Sequence, residues 1–411
     1  MRTLLDLILK RFIVLGRLCV CWPDGTVSTY TGEPGAEASL EIKDARTVRR
    51  LALNPALAVG EAYMDGKLLP VGCSIYDVLE VLTTNLTAQK GGNPMAEIRQ
   101  VIGDLTRRIA QFNPAHRARR NVAHHYDLNG RLYSLFLDRD RQYSCAYFPR
   151  GDESIDEAQV AKKRHIAAKL VLNRPGLRVL DIGCGWGGLA LTLARDYGAH
   201  VTGITLSTEQ LAEARARAKA EGLEDRVTFE LMDYRAMHQS FDRIVSVGMF
   251  EHVGLGHYKQ FFDVVKRCLA PDGVALIHAI GRSDGPSSTS PWIAKYIFPG
   301  GYCPSMSEVF PAIEKTGLIA TDMEILRLHY AETLRHWRQR LLADRERVSR
   351  PQDEERGRRW EFYLALREVG FRHGGSMVFQ IQVARRADAV PLTREYMYER
   401  SPSAGGVGIA A

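Results

Sequence analysis

The 411-residue chain is poor in cysteine. Its seven cysteines, Cys19, Cys21, Cys73, Cys145, Cys184, Cys268 and Cys303, are odd in number and include no Cys-x-x-Cys pair. Neither a disulfide framework nor a zinc ribbon is indicated, no metal site is expected, and a reducing cytosol fits. The N-terminus, Met1 to Leu15, lacks an unbroken apolar run. Asp6, Lys10 and Arg11 make it too charged for a signal segment and too short to span a bilayer. Compositional signs of wholesale disorder are missing too, since 45% of residues are apolar, enough for a large core and two or three domains. The formal net charge of +7 points to an anionic partner. No helix-turn-helix, finger or RNP signature accompanies the basic residues, so no nucleic-acid partner is expected and an acidic membrane surface is the favoured one.

What is present starts with a short helix on which Leu4, Leu5, Ile8 and Phe12 can share one face, with Asp6 and Lys10 as an i,i+4 pair on another. Arg17 to Trp22 and Val27 to Tyr30 flank Pro23-Asp24-Gly25 and read as a hairpin. That places Cys19 and Cys21 on one strand face, as two small buried hydrophobes. Asp44 to Leu53 reads as a helix stopped by Pro55, and Ser74 to Leu86 as a second, with the stretch Gly60 to Gly66 between them. Residues 1–88 thus form a small N-terminal α+β domain. Gly91-Gly92-Asn93-Pro94 breaks the pattern before a helix from Met95 to Phe112. Arg107, Arg108, Arg117, Arg119 and Arg120 make residues 89–120 a basic helical linker. Such a run is usually a solvated face; against an anionic bilayer each basic group contributes about 1 kcal/mol.

The most informative stretch is Val179-Leu180-Asp181-Ile182-Gly183-Cys184-Gly185-Trp186-Gly187-Gly188. A short apolar strand closes on Asp181, and glycines open a helix from Leu189 to Tyr197. Here backbone can approach a ligand and the helix N-terminus offers unpaired N–H groups. The spacing is not the dinucleotide G-x-G-x-x-G; Asp-x-Gly-x-Gly-x-Gly-Gly is the pattern of S-adenosylmethionine-dependent methyltransferases. Strands follow at His200 to Ile204, Arg226 to Glu230, Asp242 to Val247 and Gly273 to His278, with helices between. The expectation is an α/β fold: a doubly wound, seven-stranded, Rossmann-like methyltransferase sheet, parallel and covered on both faces. Ile319 to Arg327 and Ser376 to Ala384 complete it around a helical insert at about 330–371. The catalytic domain spans 121–390, and 391–411 reads as a flexible tail.

Several further motifs occur in order: Asn121-Val122-Ala123-His124-His125-Tyr126-Asp127-Leu128, Tyr143-Ser144-Cys145-Ala146-Tyr147-Phe148, Thr205-Leu206-Ser207, Phe250-Glu251-His252-Val253-Gly254, Trp292 to Gly301, and Gly374-Gly375-Ser376-Met377-Val378-Phe379. With the glycine stretch they resemble the cyclopropane-fatty-acyl-phospholipid synthase family over most of residues 15 to 385. Ligands in open α/β sheets sit beyond the carboxyl ends of the strands, so Asp181, Gly183 and Gly185 are expected at the methionine and ribose end of S-adenosylmethionine. The acid that methyltransferases commonly place after the second strand is missing. The resemblance implies that Thr205, Leu206 and Gln210 do its work, while Ser207 and Gln210 also spell a capping box. Asp233 is placed for the adenine amine and Tyr234 for the ring, with Tyr143 and Ser144 near the sulfonium.

Methyl transfer to a cis double bond leaves a carbocation, and ring closure depends on losing a proton to a weakly nucleophilic base. The resemblance implies a bound bicarbonate, held at positions that match Cys145, Glu251, His278, Ile280 and Tyr330. Singly, each residue has a plain structural alternative: a helix start, a strand end, a core amphipath. Cys145 has no accompanying Cys-His motif, so covalent catalysis is not indicated. The loop Ser283 to Pro304, with Trp292, Tyr296, Phe298 and Tyr302, supplies apolar surface for an acyl channel. The implied enzyme transfers a methylene unit to an unsaturated phospholipid acyl chain in an anionic membrane. It would be cytoplasmic, peripheral on the inner face of the cell membrane, and a possible homodimer. Two alternatives stay open: a related enzyme making methyl-branched or methylene acyl chains or N-methylated small amines, and an inert lipid-binding protein on the same fold.

Overall fold

The computed structural model describes residues 1–89, 130–343 and 351–398. The basic linker, the Asn121 to Leu128 motif and the tail beyond 398 lie outside them.

The N-terminal unit is a four-stranded sheet faced by helices. Strands β1 (Leu15–Cys21) and β2 (Val27–Thr31) form the expected hairpin, with Cys21 opposite Val27. A third strand that the sequence reading did not anticipate, β3 (Glu33–Ile42), lies parallel to β1, and β4 (Leu68–Pro70) closes the other edge. Leu18 and Val20 point into the core, so Cys19 and Cys21 fall on the half-buried opposite face, contrary to their expected burial. Helix α1 (Arg2–Phe12) is pinned by buried Leu5 and by the Tyr30 hydroxyl donating to Asp6 at 2.6 Å. Its expected apolar face splits: Leu5 packs inward while Met1, Leu4, Leu7 and Ile8 stay exposed. Helix α2 (Ala45–Leu53) is capped by Asp44. Pro55 does not merely stop it, because at the first helical turn proline's missing N–H costs nothing. A further helix, α3 (Pro55–Met64), therefore starts there and absorbs the Gly60 stretch. Helix α4 (Ile75–Ala88), opened by a Ser74/Asp77 capping box, is tied to β1 by fully buried Asn85. That side chain accepts from Val14 and Leu15 N–H and donates to Leu15 and Val81 carbonyls.

After α5 (Gly130–Phe136) and α6 (Ile155–Lys169), the chain enters the large sheet: β5 (Arg178–Ile182), β6 (His200–Thr205), β7 (Val227–Leu231), β8 (Phe241–Val247), β9 (Leu269–Arg282), β10 (Ile319–Ile325) and β11 (Ser376–Ala384), with α7 (Gly188–Tyr197), α8 (Thr208–Ala220), α9 (Tyr258–Cys268), α10 (Pro291–Tyr296) and α11 (Met306–Thr316) between successive strands. The order is β10-β11-β9-β8-β5-β6-β7. The seven expected strands are present, but the sheet is mixed. β11 runs antiparallel to both β9 and β10, because the helical insert delivers the chain to the opposite end of the sheet. The expectation of an all-parallel sheet is corrected there. Among the described residues of the insert are α12 (His329–Ala343) and α13 (Pro351–Arg372). Trp337, Trp360 and Phe362 bury against α5 and the N-terminal unit in one continuous core.

The two units are joined tightly. Gly60 of α3 lets the Trp292 indole come so close that a Cβ there would sit 2.5 Å from it. Next to it Glu61 accepts from Lys295 at 2.8 Å and the Tyr296 hydroxyl at 2.7 Å, and pairs with Arg50. Trp292 and Tyr296 thus hold the N-terminal unit and do not line an acyl channel. Among the described residues no helix is long and apolar enough to cross a membrane.

Candidate active site

Two neighbouring cavities open at the carboxyl edge of the sheet. The first, of about 150 Å3, is lined by Tyr143, Ser144, Asp181, Gly183, Gly185, Thr205, Leu206, Gln210, Asp233 and Tyr234, all ten of the expected cofactor residues. Its floor is the β5 turn. Gly183 has φ +83°, and a Cβ there would lie 2.9 Å from Met249, so only glycine closes this turn without strain. Asp181, the penultimate residue of β5, is buried, and among the described residues its Oδ2 has no hydrogen-bond partner. Burial pushes its carboxyl up to about 7, against the pull of the nearby Lys162 ammonium. An orphaned buried carboxylate oxygen fits an incoming ammonium.

On the β6 side only half of the expected capping box forms. Ser207 accepts from Gln210 N–H at 3.2 Å, but the Gln210 side chain turns back to the Thr205 hydroxyl at 3.0 Å. Both groups thus sit together on the cavity wall, where the absent acid would have been. Asp233 is engaged by Arg235, whose Nε and Nη2 donate to its two oxygens at 2.8 and 2.7 Å. The Arg235 backbone N–H also donates to Asp233 Oδ1, at 3.0 Å. Tyr234 is buried edge-on to Phe261, with the Arg235 guanidinium 5.5 Å from its ring centre.

The second cavity, of about 370 Å3, is lined by Cys145, Glu251, His278, Ile280 and Tyr330, the five expected catalytic positions. Glu251 Oε1 accepts from Ile280 N–H at 2.7 Å, while Oε2 is buried and has no partner among the described residues. The Ile280 N–H is therefore not free for an anion as expected; it holds Glu251 instead. Burial raises the Glu251 carboxyl to about 7, although the Ile280 bond and Arg367 pull the other way. His278 Nδ1 lies 3.0 Å from the Gln380 amide nitrogen. That nitrogen can only donate, so Nδ1 accepts and the proton of the neutral ring sits on Nε2. Burial, with the Lys162 charge, keeps His278 neutral by pushing it well below its ordinary range. Tyr330, at the start of α12, packs edge-on against Trp337, and burial holds its phenol far above the usual value. Burial likewise raises the Cys145 thiol far out of the range in which a thiolate forms, so this sulfur is no nucleophile.

The cavities share a wall of Tyr143, Ser144, Gly248 and His252. Tyr143 stacks on Trp337 with ring centres 5.4 Å apart. The second cavity also takes Thr83 and Leu86 from the N-terminal unit, Ile293 and Phe298 from the 283–304 loop, and Tyr363 and Arg367 from α13. The sequence reading missed Arg367, which lies within the helical insert expected at about 330–371. It also missed Lys162 and Gln142, for which spacing carries no signal.

The mycolic acid cyclopropane synthetase family matches residues 114–381, and a domain of unknown function matches residues 8–90. The chain is 38% identical to the cyclopropane-fatty-acyl-phospholipid synthase of Escherichia coli (strain K12) over 352 residues, 85% of this chain and 88% of that one. It is 42% identical to a probable fatty acid methyltransferase of Pseudomonas putida over 289 residues, 67% and 73% of the two chains. The crystal structure of the mycolic acid cyclopropane synthase CmaA1 complexed with SAH and CTAB superposes with a TM-score of 0.61 at 34% identity, covering 66% of this chain and 99% of that one.

Proposed function

This chain belongs to the mycolic acid cyclopropane synthetase family, and from that premise we propose that it transfers a methylene unit from S-adenosylmethionine to the cis double bond of an unsaturated phospholipid acyl chain, forming a cyclopropane. The carrying observation is the pair of cavities with one common wall: a smaller one with an orphaned carboxylate, and a larger, more apolar one ringed by Glu251, His278 and Tyr330. S-adenosylmethionine supplies an electrophilic methyl group. Asp181 Oδ2 accepts from its ammonium, Gly183 and Gly185 bring backbone close, Thr205, Leu206 and Gln210 bound the ribose, and Asp233 with Tyr234 bound the adenine.

Across the wall, Tyr143 and Ser144 face the sulfonium side while Phe298, Ile293 and Leu86 give the acyl chain a dry surface. Bicarbonate supplies the weakly nucleophilic base when bound. His278 Nε2–H donates to it, Glu251 Oε2 accepts from its hydroxyl, the Tyr330 phenol donates, and Cys145 contributes its backbone N–H. Ile280 acts through Glu251, fixing its other oxygen. Whether the product is a ring or a methyl-branched chain turns on this base, since a cation that keeps its proton never closes.

The exposed side chains of Leu4, Leu7 and Ile8 on α1 and of Met1 just before it, with Arg11 beside them, support peripheral contact with an anionic bilayer on the cytoplasmic face. A homodimer is a further expectation. Incubation with S-adenosylmethionine and unsaturated anionic vesicles tests the reading, followed by proton NMR of the acyl chains. Cyclopropyl protons upfield of other alkyl signals are expected; methyl incorporation without them leaves the methyl-branching alternative.

A further inference from the structure

Lys162 of α6 is 1% exposed, deep behind the wall that separates the two cavities. Its neighbours on the same helix have carboxylate partners: Lys163 pairs with Asp140 at 2.6 Å and Lys169 with Glu324. Among the described residues Lys162 has none within ion-pair distance. Its ammonium instead donates to two neutral oxygens, Gln142 Oε1 at 2.7 Å and Ser144 Oγ at 2.8 Å. Burying a cation against neutral acceptors is costly, and the nearby carboxylates of Asp138 and Asp140 act on it only through space, without a direct ion pair.

The geometry has one consequence for Ser144. An ammonium is donor-only, so Ser144 Oγ must accept from it, and the hydroxyl proton is turned away from Lys162. The Ser144 carbonyl is already taken by Gln159 Nε2 at 2.9 Å. Ser144 lines the cavities, so that proton is aimed at whatever occupies them. Gln142 extends the same rail, since its Nε2 donates to Asp140 Oδ2 at 3.1 Å and Asp140 is in turn held by Lys163 and Arg217. The rail crosses the N-terminus of the helix after the glycine turn. A Cβ at Gly188 would collide with Asp140 and Gln142, so the last glycine of the motif clears its path.

We propose that Lys162 is a positioning residue for the methyl donor: by donating to Ser144 Oγ and Gln142 Oε1 it fixes the Ser144 hydroxyl as a hydrogen-bond donor to the methionine carboxylate of S-adenosylmethionine. The buried cation and that carboxylate then compensate each other through the hydroxyl. Lys162 is also the charge that opposes protonation of Asp181, which keeps that carboxylate matched to the ammonium borne by the same α-carbon. The inference rests on reading the first cavity as the cofactor site.

The test compares two ligands by calorimetry: S-adenosylhomocysteine, and 5′-methylthioadenosine, which lacks the amino-acid moiety. Lys162→Met is expected to weaken S-adenosylhomocysteine about tenfold or more and to leave 5′-methylthioadenosine unchanged. Ser144→Ala should show the same selectivity, and the double variant no further loss. Equal weakening of both ligands would mean that Lys162 only supports the fold, and unchanged S-adenosylhomocysteine binding, or additive losses, would equally overturn the proposal. So would intact binding with lost bicarbonate dependence of turnover, which would turn the hydroxyl toward the other cavity. If Lys162→Met does not fold, Lys162→Gln serves: S-adenosylhomocysteine must raise its Tm less than that of the parent protein, and 5′-methylthioadenosine equally. Failure of the parent protein to bind S-adenosylhomocysteine sinks the cofactor reading instead.

Discussion

The two cavities share a wall and differ in how the chain builds them. The smaller is assembled almost wholly from the turns that follow β5, β6, β7 and β8, close in sequence and set by one sheet edge, with residues 141–144 as its lid. The larger draws on α4 of the N-terminal unit, the 283–304 loop, the first turn of α12 and one face of α13. The first is therefore a property of a motif, the second of a tertiary assembly. Chemistry that many substrates share can sit in the motif, while what is specific to an acyl chain needs the assembly.

Glu251→Gln offers the widest separation between the cavities. Turnover should fall about 100- to 1,000-fold, with S-adenosylhomocysteine affinity unchanged by calorimetry; parallel losses would mean that the two cavities do not act separately. Asp181→Asn is the converse, weakening S-adenosylhomocysteine about 10- to 100-fold through loss of a charge-assisted bond. Its pH dependence has a definite sign. Burial lifts the Asp181 carboxyl to about 7, so affinity should fall as pH drops through 7 and the oxygen loses its charge, while Asp181→Asn should stay flat.

Arg367→Leu sharpens the description of the larger cavity. Arg367 pulls the Glu251 carboxyl down against burial, so its removal should move the acid limb of the pH–rate profile upward, by up to about one unit. The limb of Glu251→Gln should not respond to it. Gly60→Ala should have the smallest effect. Alanine favours a helix by about 1 kcal/mol, but its methyl would lie 2.5 Å from Trp292 and 2.8 Å from Phe362. Overpacking of that kind costs about 1 to 3 kcal/mol, so Tm should drop by a few degrees, with turnover on vesicles reduced and S-adenosylhomocysteine binding kept.

The legibility of the chain follows the same division. The strand that runs into Asp181 and the helix after Ser74 are periodic or local signals, and the structure has them close to where they were read. The alternation of Met377, Phe379, Ile381 and Val383 marks a strand but not its setting: it was read as one with a single buried face, and Met377 to Ala384 are buried on both. The reversed direction of β11, the parallel pairing of β3 with β1 and the helix begun by Pro55 were not legible. Pairing direction and partner are chosen by packing between distant segments, and proline is as compatible with a helix start as with a stop. Arg367 is the instructive omission: one arginine on a long helix carries no mark in its spacing that it reaches a cavity.

By itself the sequence determined the glycine turn and its acid, the set of strands in the large sheet, and the residue types able to hold a sulfonium donor and a small anion, because each depends on spacing within a few residues. Only the tertiary structure decided that the Ile280 N–H donates to Glu251, that the Gln380 amide meets His278 Nδ1, and that Lys162 lies behind Ser144. Those three are hydrogen bonds between segments brought together by packing, and a hydrogen bond reaches about 3 Å, a distance that order along the chain does not encode.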